Sequence, residues 1–238
     1  MIELYGYDQL SITDEIKLPR IEEIIRAFPF YQQGDLWGLY KYGNVDLIKI
    51  LDSVPLTNKF KYISVDMKVQ LLSPNVTPAP RGNWHFDANG FREEDESIAH
   101  LLVSDTTSLT EFTTEEIVLN QFDESSSLLD VELYMNQNTD SFSPVAIQPN
   151  RFVSFNGARH LHRAVRAKGQ EFRFFLRVLE SNHMIPYSFK DAVIDFSRVY
   201  NDGIQDYSKI TRDYILNNHT NSYPSIDRKR NQAIIHVN

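Results

Sequence analysis

The chain has no cysteine. Disulfides and thiolate ligands are therefore excluded, and any metal bound here takes nitrogen and oxygen donors. No apolar stretch approaches the roughly 18 residues that a membrane-spanning helix requires. The start, Met1-Ile2-Glu3-Leu4-Tyr5, lacks a basic region followed by an apolar run, so no secretory leader is expected and the expected compartment is cytoplasmic. Basic residues are in deficit: 24 Lys and Arg stand against 32 Asp and Glu, a net charge of -8. That balance exerts no long-range pull on nucleic acid or on an anionic membrane. The run Arg228-Lys229-Arg230 is too short to make a nucleic-acid module. Internal repeats and low-complexity tracts are also missing.

Apolar and aromatic residues are plentiful. The 238 residues include fifteen Phe and twelve Tyr, which favour strands and suffice for a core. This length suits one domain, 1–238. Its β core is expected at about 60–180, with helical or mixed support at 1–59 and a helical extension at 186–238.

Periodicity places the elements. Residues 2–7 read as an edge strand. Residues 18–28 read as a helix, with Pro19 near its start and Ile21, Ile24, Ile25 and Phe28 at helical spacing. A short helix is expected at 45–52. Residues 61–72 form the clearest strand: Ile63, Val65, Met67, Val69 and Leu71 alternate with Asp66, Lys68 and Gln70. A Pro-rich loop, 73–83, leads into a strand at 84–87. The acidic run 93–96 is expected in a surface loop, a candidate lid. Further strands are expected at 98–103, from 109, and at 131–135, 144–148, 151–155, 160–165 and 172–179. Pro149-Asn150, Asn156-Gly157 and Lys168-Gly169-Gln170 mark turns. Helical segments are expected at 190–199 and 204–217. Many short strands with flanking helices favour a β-sandwich or jelly-roll core.

The organising stretch is Trp84-His85-Phe86-Asp87. On a strand, His85 and Asp87 point to one face. A histidine from a later strand would complete two imidazoles and one carboxylate, a set that covers one face of an octahedral metal and leaves positions open. His160 and His162 both lie on the later extended segment and share parity, so spacing does not choose between them. Arg173, on the strand after the glycine turn, would present its fork to a carboxylate in the same pocket, with Arg177 a rival of the same parity.

These blocks resemble the iron(II)- and 2-oxoglutarate-dependent dioxygenases. The matching residues are His85 and Asp87, then Arg151 to Gly157 leading into Leu161-His162-Arg163-Ala164-Val165, then Gly169 and Phe172-Arg173-Phe174. The resemblance covers roughly 60–180. It implies a mainly β fold with a double-stranded β-helix (jelly-roll or cupin-like) core and flanking helices. It implies Fe(II) on His85, Asp87 and His162, which favours His162 over His160. It also implies 2-oxoglutarate held by Arg173, eleven residues beyond His162, with Thr110 as a further co-substrate contact. One departure stands out: several relatives carry Ser two residues after the arginine, where this chain has Phe175. Another hydroxyl, Tyr62 or Thr110, would then have to serve. Asp87 is present, which excludes the halogenase variant.

The implied activity couples oxidative decarboxylation of 2-oxoglutarate, with molecular oxygen, to hydroxylation of an unactivated C–H bond. An amino acid or other small molecule is the expected substrate, and a protein side chain is the alternative. Two rivals of other classes stand beside it. One is a cupin-like metalloenzyme that does not use 2-oxoglutarate; the other is a non-catalytic ligand-binding module on the same scaffold.

Overall fold

Alternating side chains along the two longest strands, Tyr62–Leu72 and Glu171–Ser181, build the centre of the fold. On the second of these, Phe174, Leu176 and Val178 are buried on one face. Arg173, Phe175 and Arg177 have the opposite parity and point between the sheets. The computed structural model describes residues 1–20, 23, 24, 31–35, 45–57, 59–78, 84–88 and 90–182.

In chain order the strands are β1 (Ile2–Leu4), β2 (Ser11–Ile12), β3 (Tyr31–Asp35), β4 (Tyr62–Leu72), β5 (Ser97–Val103) and β6 (Thr110–Thr113). They continue with β7 (Ile117–Leu119), β8 (Pro144–Ala146), β9 (Phe152–Asn156), β10 (His162–Ala164) and β11 (Glu171–Ser181). The α-helices whose full bounds lie among the described residues are α1 (Val45–Asp52) and α2 (Leu128–Gln137). None is long and apolar enough to cross a membrane.

A six-stranded sheet runs β2-β9-β5-β11-β4-β3 and a three-stranded sheet runs β10-β6-β8, all pairs antiparallel. His85 bridges His162 on the free edge of β10. From β4 onward the chain therefore visits the large sheet, the small sheet through His85, the large sheet at β5, the small sheet at β6 and β8, the large at β9, the small at β10 and the large at β11. This winding is the double-stranded β-helix. Its interior holds Ala99, Leu101, Val103, Phe112, Ile147, Val153, Phe155 and Leu179. A second cluster, with Ile2, Leu4, Trp84, Phe86, Met135 and Leu161, joins α2 and the β1–β7 pair to the core. His100 and Glu180, both fully buried, pair at 2.8 Å, and Glu180 also accepts from the Thr57 N–H. This pair ties the segment after α1 to the large sheet.

Two expectations are corrected. Residues 131–135 are not a strand but lie inside α2. The alternation of Val131, Leu133 and Met135 suggested a strand, yet Val131 and Met135 are also four apart and share a helix face. Ser127 caps that helix by accepting from the Leu129 N–H, and Leu129 and Leu133 stay exposed. Residues 84–87 are extended but form a single β-bridge, not a strand. The cause is that α2 occupies the other edge: the Trp84 N–H donates to Asn136 Oδ1, and the Phe86 N–H donates to Glu132 Oε1. Side chains satisfy the backbone groups that a neighbouring strand would otherwise have taken. Within the helix expected at 18–28, residues 23 and 24 are helical and the others are either non-helical or outside the described residues. The helices expected at 190–199 and 204–217 lie wholly outside them.

Candidate metal centre

Three donors converge at one end of the space between the sheets. His85 and Asp87 come from the bridged segment, and His162 opens β10. One ligand atom from each lies within 4.8 Å of the other two. Sequence spacing placed His85 and Asp87 together. The antiparallel bridge, with His85 and His162 exchanging N–H to O bonds of 2.9 and 3.1 Å, brings in the third.

His162 and Asp87 are held from behind. The His162 ring stacks on Phe112 at 5.4 Å and meets the edge of Phe155 at 4.9 Å. Its Nδ1 lies 3.4 Å from the His160 carbonyl oxygen, the partner that would keep Nδ1 protonated and leave Nε2 for a metal. The Asp87 N–H donates to the Gly157 carbonyl at 3.0 Å. A Cβ at Gly157 would stand 2.3 Å from the Asp87 carbonyl oxygen, so only glycine lets the turn approach this closely. Asp87 Oδ2 lies 3.4 Å from His162 Nε2, while Oδ1 accepts from Arg177, which also binds Asp66. Burial alone would push the Asp87 carboxyl up. The Arg177 guanidinium, aided by His162 and His85, outweighs it and holds the group well below the usual carboxylate range. Asp87 is thus an anion ready to ligate.

A cavity of about 140 Å³ opens beside these donors. Asp66, Lys68, Thr110, Arg173, Phe175 and Arg177 are among its walls. Arg173 is 2 % exposed, and burial lowers its pKa to about 10. Its Nε donates to the Ser108 carbonyl, yet among the described residues no carboxylate lies within ion-pair distance. Arg177, the rival clamp, is committed to Asp66 and Asp87. Tyr62 pairs with Ser181, at the far end of β11 from Arg173, whereas Thr110 lines the cavity.

His160 stands apart from the donor set. It is buried beside Tyr5, Phe112 and Phe155, with Nδ1 accepting from the Asn156 N–H, and burial lowers its pKa to about 4. It packs as a neutral ring. Glu93–Asp95 form a single 3-10 turn, with Glu93 and Glu94 exposed.

Sequence reading missed Lys68 and the Asp66–Arg177–Asp87 chain. The signal was the second face of β4: Asp66, Lys68 and Gln70 have the parity of a solvated face, but in a closed β-helix that face turns inward. Arg177→Met should weaken Fe(II) binding about 10- to 100-fold, because it frees the Asp87 carboxylate to rotate. Iron titration followed by metal analysis checks this; unchanged affinity would show that Arg177 does not position the ligand.

Fold and site together define a double-stranded β-helix with a two-histidine, one-carboxylate centre, a donor set that suits Fe(II). No family model matches the chain, and no curated protein matches it. Among solved structures it is similar to the non-heme alpha-ketoglutarate-dependent carbocyclase SnoK from nogalamycin biosynthesis, at 15% identity and TM-score 0.35 over 50% of this chain and 48% of that one. It is also similar to a Pseudomonas putida prolyl-4-hydroxylase, at 10% identity and TM-score 0.31 over 76% of this chain and 77% of that one. A third is the dioxygenase for auxin oxidation 1 from Arabidopsis thaliana, at 12% identity and TM-score 0.36 over 75% and 69%. The chain spans about half the length of the carbocyclase. Strand order and donor geometry, not these distant likenesses, define the centre.

Proposed function

We propose that the chain is an Fe(II)- and 2-oxoglutarate-dependent oxygenase that hydroxylates an unactivated C–H bond in a small molecule, an amino acid among the candidates. The observation that carries this reading is one cavity holding both the three donors and a buried guanidinium that makes no ion pair among the described residues. A buried cation of that kind is a receptor for an anion.

His85, Asp87 and His162 would hold Fe(II), and Arg173 would hold the far carboxylate of 2-oxoglutarate, with Thr110 beside it. Bound there, metal and co-substrate supply oxidative decarboxylation and the oxidising power for C–H hydroxylation. The chain's own contribution is to fix and select. Asp87 stays ionised through Arg177. Phe112 and Phe155 fix the His162 ring. Pro78, Leu101, Ala164 and Phe175 give the cavity apolar walls that limit water.

The direct test is anaerobic titration of Fe(II)-loaded protein with 2-oxoglutarate, followed by the visible charge-transfer absorption of a metal-bound 2-oxo acid. Saturable absorption that depends on both components is expected. Iron binding with no response to 2-oxoglutarate would overturn the assignment in favour of a metalloprotein of another chemistry.

A further inference from the structure

The departure at Phe175 has a counterpart across the sheet. Phe175 stands two residues after Arg173 on the same face of β11, and its register partner on β4 is Lys68. Both cations touch its ring: Lys68 Nζ lies 4.9 Å from the centroid and Arg173 Cζ 5.2 Å. Lys68 lines the same cavity as Arg173 and the metal donors. Among the described residues it makes no ion pair, whereas Arg177, the third cation there, is held by two carboxylates. Burial, with the Arg173 and Arg177 guanidinium groups, lowers the Lys68 pKa to about 8, against the opposing pull of Asp66 and Asp87.

Cavity size narrows what can compensate it. About 140 Å³ is close to the roughly 150 Å³ of an engineered cavity that takes up one benzene. The space next to Lys68 is therefore on the scale of one small molecule, and on the reading above that molecule is 2-oxoglutarate.

We propose that Lys68 is a second anchor for the far carboxylate of 2-oxoglutarate, sharing it with Arg173 and supplying from β4 the polar contact that Phe175 removes from β11. This rests on the oxygenase reading and adds a consequence: selection for a dicarboxylate rests on two cations from adjacent strands. Phe175 touches both cations and gives them an apolar wall, and a low local dielectric strengthens a hold on an anion.

The test is anaerobic calorimetry on the full chain loaded with Fe(II), using 2-oxoglutarate and 2-oxopentanoate. The second acid has the same chain length and keto acid end but no far carboxylate. Lys68→Met should weaken 2-oxoglutarate binding roughly 10- to 100-fold, the scale of one charge-assisted contact, and leave 2-oxopentanoate unchanged. Lys68→Arg should stay within a few-fold of the unaltered protein. Lys68→Met combined with Arg173→Met should lose less than the two single losses multiplied, because both groups serve one carboxylate. If Lys68→Met does not fold, Lys68→Gln carries the same comparison.

Unchanged 2-oxoglutarate affinity in Lys68→Met, with Arg173→Met weakened, overturns the role of Lys68 and leaves the oxygenase reading intact. Equal weakening toward both acids places Lys68 at the keto acid end and also overturns it. An unaltered protein that binds neither acid removes the oxygenase reading, and the proposal with it.

Discussion

Asp87→Ala is expected to abolish tight Fe(II) binding and 2-oxoglutarate-dependent oxygen consumption together. The carboxylate is the single anionic member of the three-donor set, so its removal takes away both a ligand and the charge that partly balances the metal. The loss should exceed the roughly 10- to 100-fold that changes behind the ligands cost. The fold should survive, because Arg177 keeps Asp66 as its partner and the Asp87 N–H bond to Gly157 belongs to the backbone. Metal content after gel filtration, oxygen uptake and a circular-dichroism melt are the three measurements. Full metal content with full turnover would mean that these donors are not the centre.

Arg173→Met should produce a different pattern: iron retained, 2-oxoglutarate affinity reduced about 100-fold, and thermal stability equal or higher. The first part follows from its place in the cavity, outside the donor set. The reduction corresponds to losing a bidentate, charge-assisted contact in a desolvated site. The stability arm follows from burial. A guanidinium that is 2 % exposed and makes no ion pair among the described residues carries a desolvation cost that methionine does not. The contacts surrendered are the bond from Arg173 Nε to the Ser108 carbonyl and the packing of the guanidinium on the Phe175 ring. An unchanged dependence on 2-oxoglutarate concentration would remove Arg173 from co-substrate binding. A large drop in melting temperature would show instead that it is a structural cation.

Both predictions concern residues legible in the sequence, and the reason is physical. The two-residue spacing of His85 and Asp87 puts both on one face of an extended segment, and the later His and Arg blocks give that spacing its weight. The glycine turn brings the strand of Arg173 alongside, but choosing Arg173 over Arg177, which shares its parity, required the family resemblance. Choosing His162 over His160 required the family resemblance, because both have the parity of one face; the structure separates them by placing His162, and not His160, with His85 and Asp87. The long strands were legible from period 2, whereas α2 was not. Its apolar residues fit both spacings, and burial of just Val131 and Met135 leaves a weak helical stripe. Lys68 stayed hidden because polar residues on alternate strand positions signify solvent in an open sheet. They signify an interior in a sheet that coils back over itself, and closure of that kind is not a local property of the chain.

The bridged segment that carries His85 and Asp87 also bears on how this scaffold can be altered. The stretch from Leu119 to Pro144 joins β7 to β8 and, between those strands, lies outside the two sheets of the barrel. Here it carries Glu132 and Asn136, which hold the outer edge of the segment bearing two of the three donors. A graft that replaces this stretch must bring its own pair of side chains to the same edge. Without them the transplanted enzyme would inherit a complete barrel around an unmoored metal.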